Sequence, residues 1–95
     1  MDTNQTLAKE VEAILKAAEQ AIEKQEWPPA NALLKQGLDV LGDRYISNNT
    51  IDDSGMKLVL AVADEKKGAL QTAAHIRRSV LASRLSLLRQ KTGAN

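Results

Sequence analysis

The 95-residue chain contains no cysteine and no phenylalanine, one tryptophan, one tyrosine and two prolines, which are adjacent. Without cysteine there is no disulfide framework, no thiol nucleophile and no thiolate metal site. Without phenylalanine the core must be packed from aliphatic side chains. A single histidine, His75, leaves no pair of imidazoles with which one chain could hold a metal. The uninterrupted apolar runs are a few residues long, against about 20 needed to span a bilayer. No basic segment followed by an apolar run opens the chain, and Met1 reads as a native start. The expectation is a cytoplasmic protein with no membrane segment, no cofactor and no metal.

What is present is helix-forming. Apolar residues make up 43% and charged residues 26% of the chain, enough for one modest core, and leucine and alanine combine with glutamate, lysine, glutamine and arginine. One helical domain over 1–95 is expected, all-α, as a four-helix bundle or as two stacked αα-hairpins. The spacing predicts helices over about 3–25, 29–43, 51–67 and 69–91. In the first, Leu7, Val11, Ile14, Ala18, Ala21 and Ile22 recur at helical intervals, and Asp2 with Gln5 reads as a capping box. Pro28-Pro29 ends it and opens the second, whose buried face is Ala30, Leu33, Leu34, Leu38 and Leu41, with Gly37 in the same stripe. The third starts after Ser47-Asn48-Asn49-Thr50, with Thr50 as its cap. It carries one stripe of Met56, Val59, Leu60 and Ala63 and another of Ile51, Leu58 and Val62. A helix apolar on two sides is expected at the centre of the bundle. Gly68 ends it, and the final Gly93-Ala94-Asn95 is expected to fray.

Charge is distributed unevenly. Residues 1–48 are net −3 and residues 49–95 net +4, and no acidic side chain follows Gly68. At about 100° per residue, the fourth helix shows two apolar seams: Ala69, Ala73, Ile76, Val80 and Leu87, then Leu70, Ala74, Leu81, Leu85 and Leu88. Arg77, Arg84 and Lys91, seven apart, fall between the seams. Arg78, Arg89 and His75 fall on the opposite side and are expected to face water. A cation inside an apolar arc needs a partner. Either Arg77 and Arg84 pair with carboxylates of the first helix or with Asp39, or they line a groove with Leu81, Leu88 and Lys91 that binds an acidic peptide, a partner helix or a second copy.

Catalytic strings are absent or out of context. Asp53-Ser54-Gly55 matches the short motif of aspartic proteases, but that chemistry needs two carboxylates sharing a proton, and here the string marks a helix start. Asn48-Asn49-Thr50 has the form of a glycosylation sequon and reads as a polar loop. The two halves align at an offset of 43, with Leu15, Ala18, Trp27, Ala30 and Leu38 matching Leu58, Ala61, Leu70, Ala73 and Leu81. Together with Gly68 and the Leu60-Ala61 and Val80-Leu81 pairs, this pattern resembles the tetratricopeptide-type helical hairpin. Arg77 stands where that family's second helix carries an aromatic, and the offset exceeds its usual spacing of about 34. The resemblance implies a binding module for protein or peptide, without catalysis. The leading expectation is therefore a small helical protein–protein interaction module — adaptor, small subunit or inhibitor — whose partner is another protein or a second copy. The alternative is a nucleic-acid-binding accessory protein using the basic last helix. It ranks behind because the basic residues are split between faces and no aromatic is interleaved.

Overall fold

A computed structural model describes residues 3–48 and 50–91. Four helices account for about four-fifths of them: α1 (Thr3–Glu23), α2 (Trp27–Leu41), α3 (Ser54–Lys66) and α4 (Leu70–Lys91). The fold is an all-α four-helix bundle, with no strand among the described residues. The residues of the expected cap at Asp2 and of the frayed end at 93–95 lie outside the described region.

The offset of 43 is written into the backbone. α1 ends at Glu23 and α3 at Lys66; α2 begins at Trp27 and α4 at Leu70. Between them lie matching turns. Glu26 N–H donates to the Ala21 carbonyl at 2.9 Å and Gln25 N–H to Ile22 at 2.9 Å. In the second hairpin Ala69 N–H donates to Asp64 at 2.8 Å and Gly68 N–H to Glu65 at 3.0 Å. This six-to-one closure needs a left-handed residue, and Gln25 (φ 58°) and Gly68 (φ 85°) supply it. The aligned alanines, Ala18 with Ala61 and Ala30 with Ala73, are all fully buried. A side chain at positive φ is strained, and a Cβ built at Gly68 meets nothing within 4 Å, so a substitution there costs backbone strain and no steric clash. Gln25→Gly is expected to stabilise the chain, and Gly68→Ala to destabilise it, by about 1 kcal/mol each, as read from urea midpoints.

Both prolines fit the first turn of α2, where no N–H is required. α1, α2 and α4 form the main core, with Val11, Leu15, Leu34, Leu41, Leu81, Leu85 and Leu88 at its centre. Gly37 brings α2 against α4 and α1. A Cβ there would stand 2.7 Å from Leu81 Cδ2 and 3.3 Å from Ile14 Cγ2. The glycine thus offsets its helix-propensity cost by a close approach.

The central helix is α4, which touches α1, α2 and α3, whereas the backbone of α3 packs on α4 alone and meets α2 through the Lys35–Glu65 ion pair. This corrects the expectation that α3 lies at the centre. The side of α3 turned inward carries Ser54, Leu58, Ala61 and Glu65, small or polar except for Leu58. The stripe of Met56, Val59 and Leu60 is exposed. α3 also starts later than expected. Thr50 does not cap it; the Thr50 Oγ1 accepts the Ser47 amide at 2.9 Å and closes the loop on itself. Asp52 does that work, its Oδ1 accepting the Ser54 amide at 2.9 Å.

Candidate functional site

The line Arg77, Arg84, Lys91 runs along α4 and is engaged at every position inside the chain. Arg77 is only 3% exposed. Its Nη1 lies 2.6 Å from Glu65 Oε1 of α3 and donates to Asn31 Oδ1 of α2 at 2.8 Å. Asn31 is held in turn, its Nδ2 donating to the Trp27 carbonyl at 2.9 Å and the Leu70 carbonyl at 3.0 Å. Lys35 of α2 adds a second cation, 3.0 Å from Glu65 Oε2. About two turns further on, Arg84 Nε donates to Ser54 Oγ at 2.9 Å, and Nη2 stands 3.8 Å from Asp52. The Arg84 guanidinium also lies 4.8 Å from the Tyr45 ring centroid, a cation–π contact. Lys91 Nζ donates to the Arg44 carbonyl at 3.1 Å. No buried side-chain nitrogen or oxygen among the described residues lacks a partner.

The internal pairing expected for Arg77 and Arg84 is found, but with Glu65 and Asp52, not with the first helix or Asp39. Leu81 and Leu88 are fully buried in the core cluster. The expected groove of Arg77, Arg84, Lys91, Leu81 and Leu88 is therefore corrected: the leucines are covered by α1 and α2, and the cations are used to hold α3 and the loop. The carboxylates of α1 go instead to the two arginines expected to face water. Arg78 Nη1 pairs with Glu19 at 3.1 Å, and Arg89 pairs with Glu12. These pairs are half-exposed and contribute little each. The open side of α4 is left to His75, Ser79, Ser83, Ser86 and Gln90, and the His75 ring lies 5.6 Å from that of Trp27.

Asp52 is the anionic hub of the α3 start. Hydrogen bonds from the Ser54 and Tyr45 hydroxyls, then from the Ser54 amide, with the Arg84 charge, hold its pKa down from 3.8 to about 2. The Glu65 pKa is lowered from 4.5 by hydrogen bonds from Lys35 and Arg77. Burial raises the Tyr45 phenol above 10, and its bond to Asp52 adds to the rise. Both carboxylates therefore stabilise the fold above their unfolded pKa values, and this is lost as pH falls through the folded ones. The raised phenol contributes fully below pH 10 and is lost as pH rises through its folded value. We expect stability to decline between about pH 4.5 and pH 2, and Asp52→Asn to flatten the lower part of that decline. Urea unfolding across this range reads it, and an acid limb unchanged by Asp52→Asn would remove Asp52 from this role.

The arginine line leaves α3 with its larger side chains outside. Met56 is 72%, Val59 62%, Leu60 55% and Val62 45% exposed. Leu60 borders a groove of about 310 Å³ shared with Lys57, His75, Ile76 and Ser79. The physical reason for this rotation is a comparison of costs. Turning Met56, Val59 and Leu60 inward would gain about 1.5–3 kcal/mol for each side chain fully buried. It would also strip Glu65, Ser54 and Asp52 from two arginines, and a buried pair broken on one side costs about 3–5 kcal/mol. Amphipathicity alone carried no sign of this, since both stripes are apolar. The usable signal was Ser54 and Glu65 flanking Ala61 on one face, opposite two arginines seven apart.

No group of three or more histidine, aspartate or glutamate side chains among the described residues could hold a metal ion, and no helix there is long and apolar enough to cross a membrane. No protein-family model, curated protein or solved structure matches the chain.

Proposed function

We propose that the chain is a small, cytoplasmic helical protein–protein interaction module without catalytic activity, and that it docks through the outer face of α3. The observation that carries this reading is the run of Met56, Val59, Leu60 and Val62 on one helix with no other helix over it. Large apolar side chains gathered along one exposed helix, rather than scattered singly, are what marks an interaction site. The side chains of Arg77 and Arg84 serve this face indirectly, because they hold the helix that presents it. The nucleic-acid reading ranks behind, since Arg77, Arg78, Arg84 and Arg89 are each paired with a carboxylate of the chain itself.

A photoreactive amino acid placed at Val59 tests the reading in cells, with one at Ser83 on the polar side of α4 as control. Cross-links to a discrete protein from position 59 alone are expected. Equal cross-linking from both positions, or none from 59, would refute the docking face.

A further inference from the structure

We infer that the occupant of the α3 face is a second copy of this chain, its α3 antiparallel to the first across a two-fold axis. The inference rests on the docking face proposed above and names what covers it. Met56, Val59, Leu60, Ala63, Lys66 and Lys67 follow the three–four spacing of a helix–helix seam. That seam is self-complementary when reversed. A two-fold placed at Val59 and Leu60 sets the long Met56 opposite the short, half-buried Ala63 of the partner. It also brings the exposed Asp53, at the start of α3, toward the partner's Lys66 and Lys67. A parallel pair would instead stack Met56 on Met56, leave a gap at Ala63 and set lysine against lysine. Antiparallel helix dipoles favour the same choice.

The size of the face sets the strength of the contact. A standard stable interface takes about 800 Å² from each partner. One face of the 13-residue α3, about 20 Å long and 10 Å across, falls short of this, and the groove at Ile76 and the stems of Lys66 and Lys67 extend it. The dimer is accordingly reversible and belongs to the weak class of association.

Sedimentation equilibrium of the full chain, from micromolar to millimolar concentration, tests this. The average mass should rise toward two copies. Val59→Lys should weaken association at least about tenfold while leaving the melting of the dilute chain unchanged, because the side chain is exposed. Asp53→Lys should weaken it roughly fivefold, and Asp53→Lys combined with Lys66→Glu and Lys67→Glu should restore it. The absence of native cysteine gives a clean test of orientation. Oxidising a mixture of the Met56→Cys and Ala63→Cys variants should join unlike chains, since only the antiparallel pairing brings these positions within disulfide reach. Joining of like chains at Met56→Cys would overturn the antiparallel arrangement. A monomer at millimolar concentration would overturn the inference entirely. If the photoreactive group at position 59 then still captured a different protein, the docking face would stand and only its occupant would change. If it captured nothing, both would fall.

Discussion

Replacing Glu65 with alanine is expected to cost about 3 kcal/mol and to lower the melting temperature by roughly 15 °C. Glu65 is itself 30% exposed, but its partner is not: Arg77 is 3% exposed and would keep only the Asn31 amide oxygen. The loss arises from the stranded guanidinium more than from the missing contact. Two controls separate these. Lys35→Ala removes the other cation on Glu65, but Lys35 is half-exposed, so the cost should stay below about 1 kcal/mol. Arg77→Met combined with Glu65→Leu removes both charges and should recover most of the loss. Urea unfolding of the three variants beside the parent reads these differences, and a Glu65→Ala variant as stable as the parent would mean that Arg77 does not need its anion.

The second large effect lies where α2 and α4 approach. Leu81→Ala should cost about 3 kcal/mol, since the side chain is fully buried in a core of aliphatic residues. Gly37→Ala gains about 1 kcal/mol in helix propensity. Its new Cβ would meet Leu81 Cδ2 at 2.7 Å in a closed core, and overpacking costs about 1–3 kcal/mol, so the single change should destabilise slightly. In the Leu81→Ala background the obstruction is gone, the new methyl occupies part of the cavity, and the same Gly37→Ala change should become stabilising. The two substitutions are therefore expected to couple by about 2 kcal/mol. Strict additivity would show that the close approach does not set the α2–α4 distance.

Much of this was legible in the chain. The apolar period gives all four helices, and the offset of 43 marks both hairpins; of the two left-handed turn residues Gly68 is legible, whereas Gln25 is expected inside the first helix and gives no sign of its positive φ. The spacing of Arg77, Arg84 and Lys91 announces a polar line inside an apolar arc. What it does not announce is the partner. Glu12, Glu19, Glu65, Asp39 and Asp52 were all available by type, and the assignment depends on how the helices are rotated. The rotation of α3 was illegible for a related reason. Its larger apolar stripe suggested burial, but a stripe measures the gain of burying one face and not the cost of abandoning the other. Asp52, Ser54 and Glu65 tip that balance only after Arg77 and Arg84 are placed opposite them. The same fact hid the candidate site. The sequence leaves the arginines either paired inside the chain or lining a groove; they are paired, and what they hold in place is the helix whose larger apolar side chains stay exposed.

The central claim is that α3 turns Met56, Val59 and Leu60 outward because its other face satisfies the arginines of α4. Thiol alkylation of two single-cysteine variants, in a chain that has no other cysteine, tests this most directly when the protein is diluted below the range of self-association. The Val59→Cys variant should react at the rate of a small free thiol, and the Ala61→Cys variant should be strongly protected. Protection at position 59 with free reaction at position 61 would contradict the account.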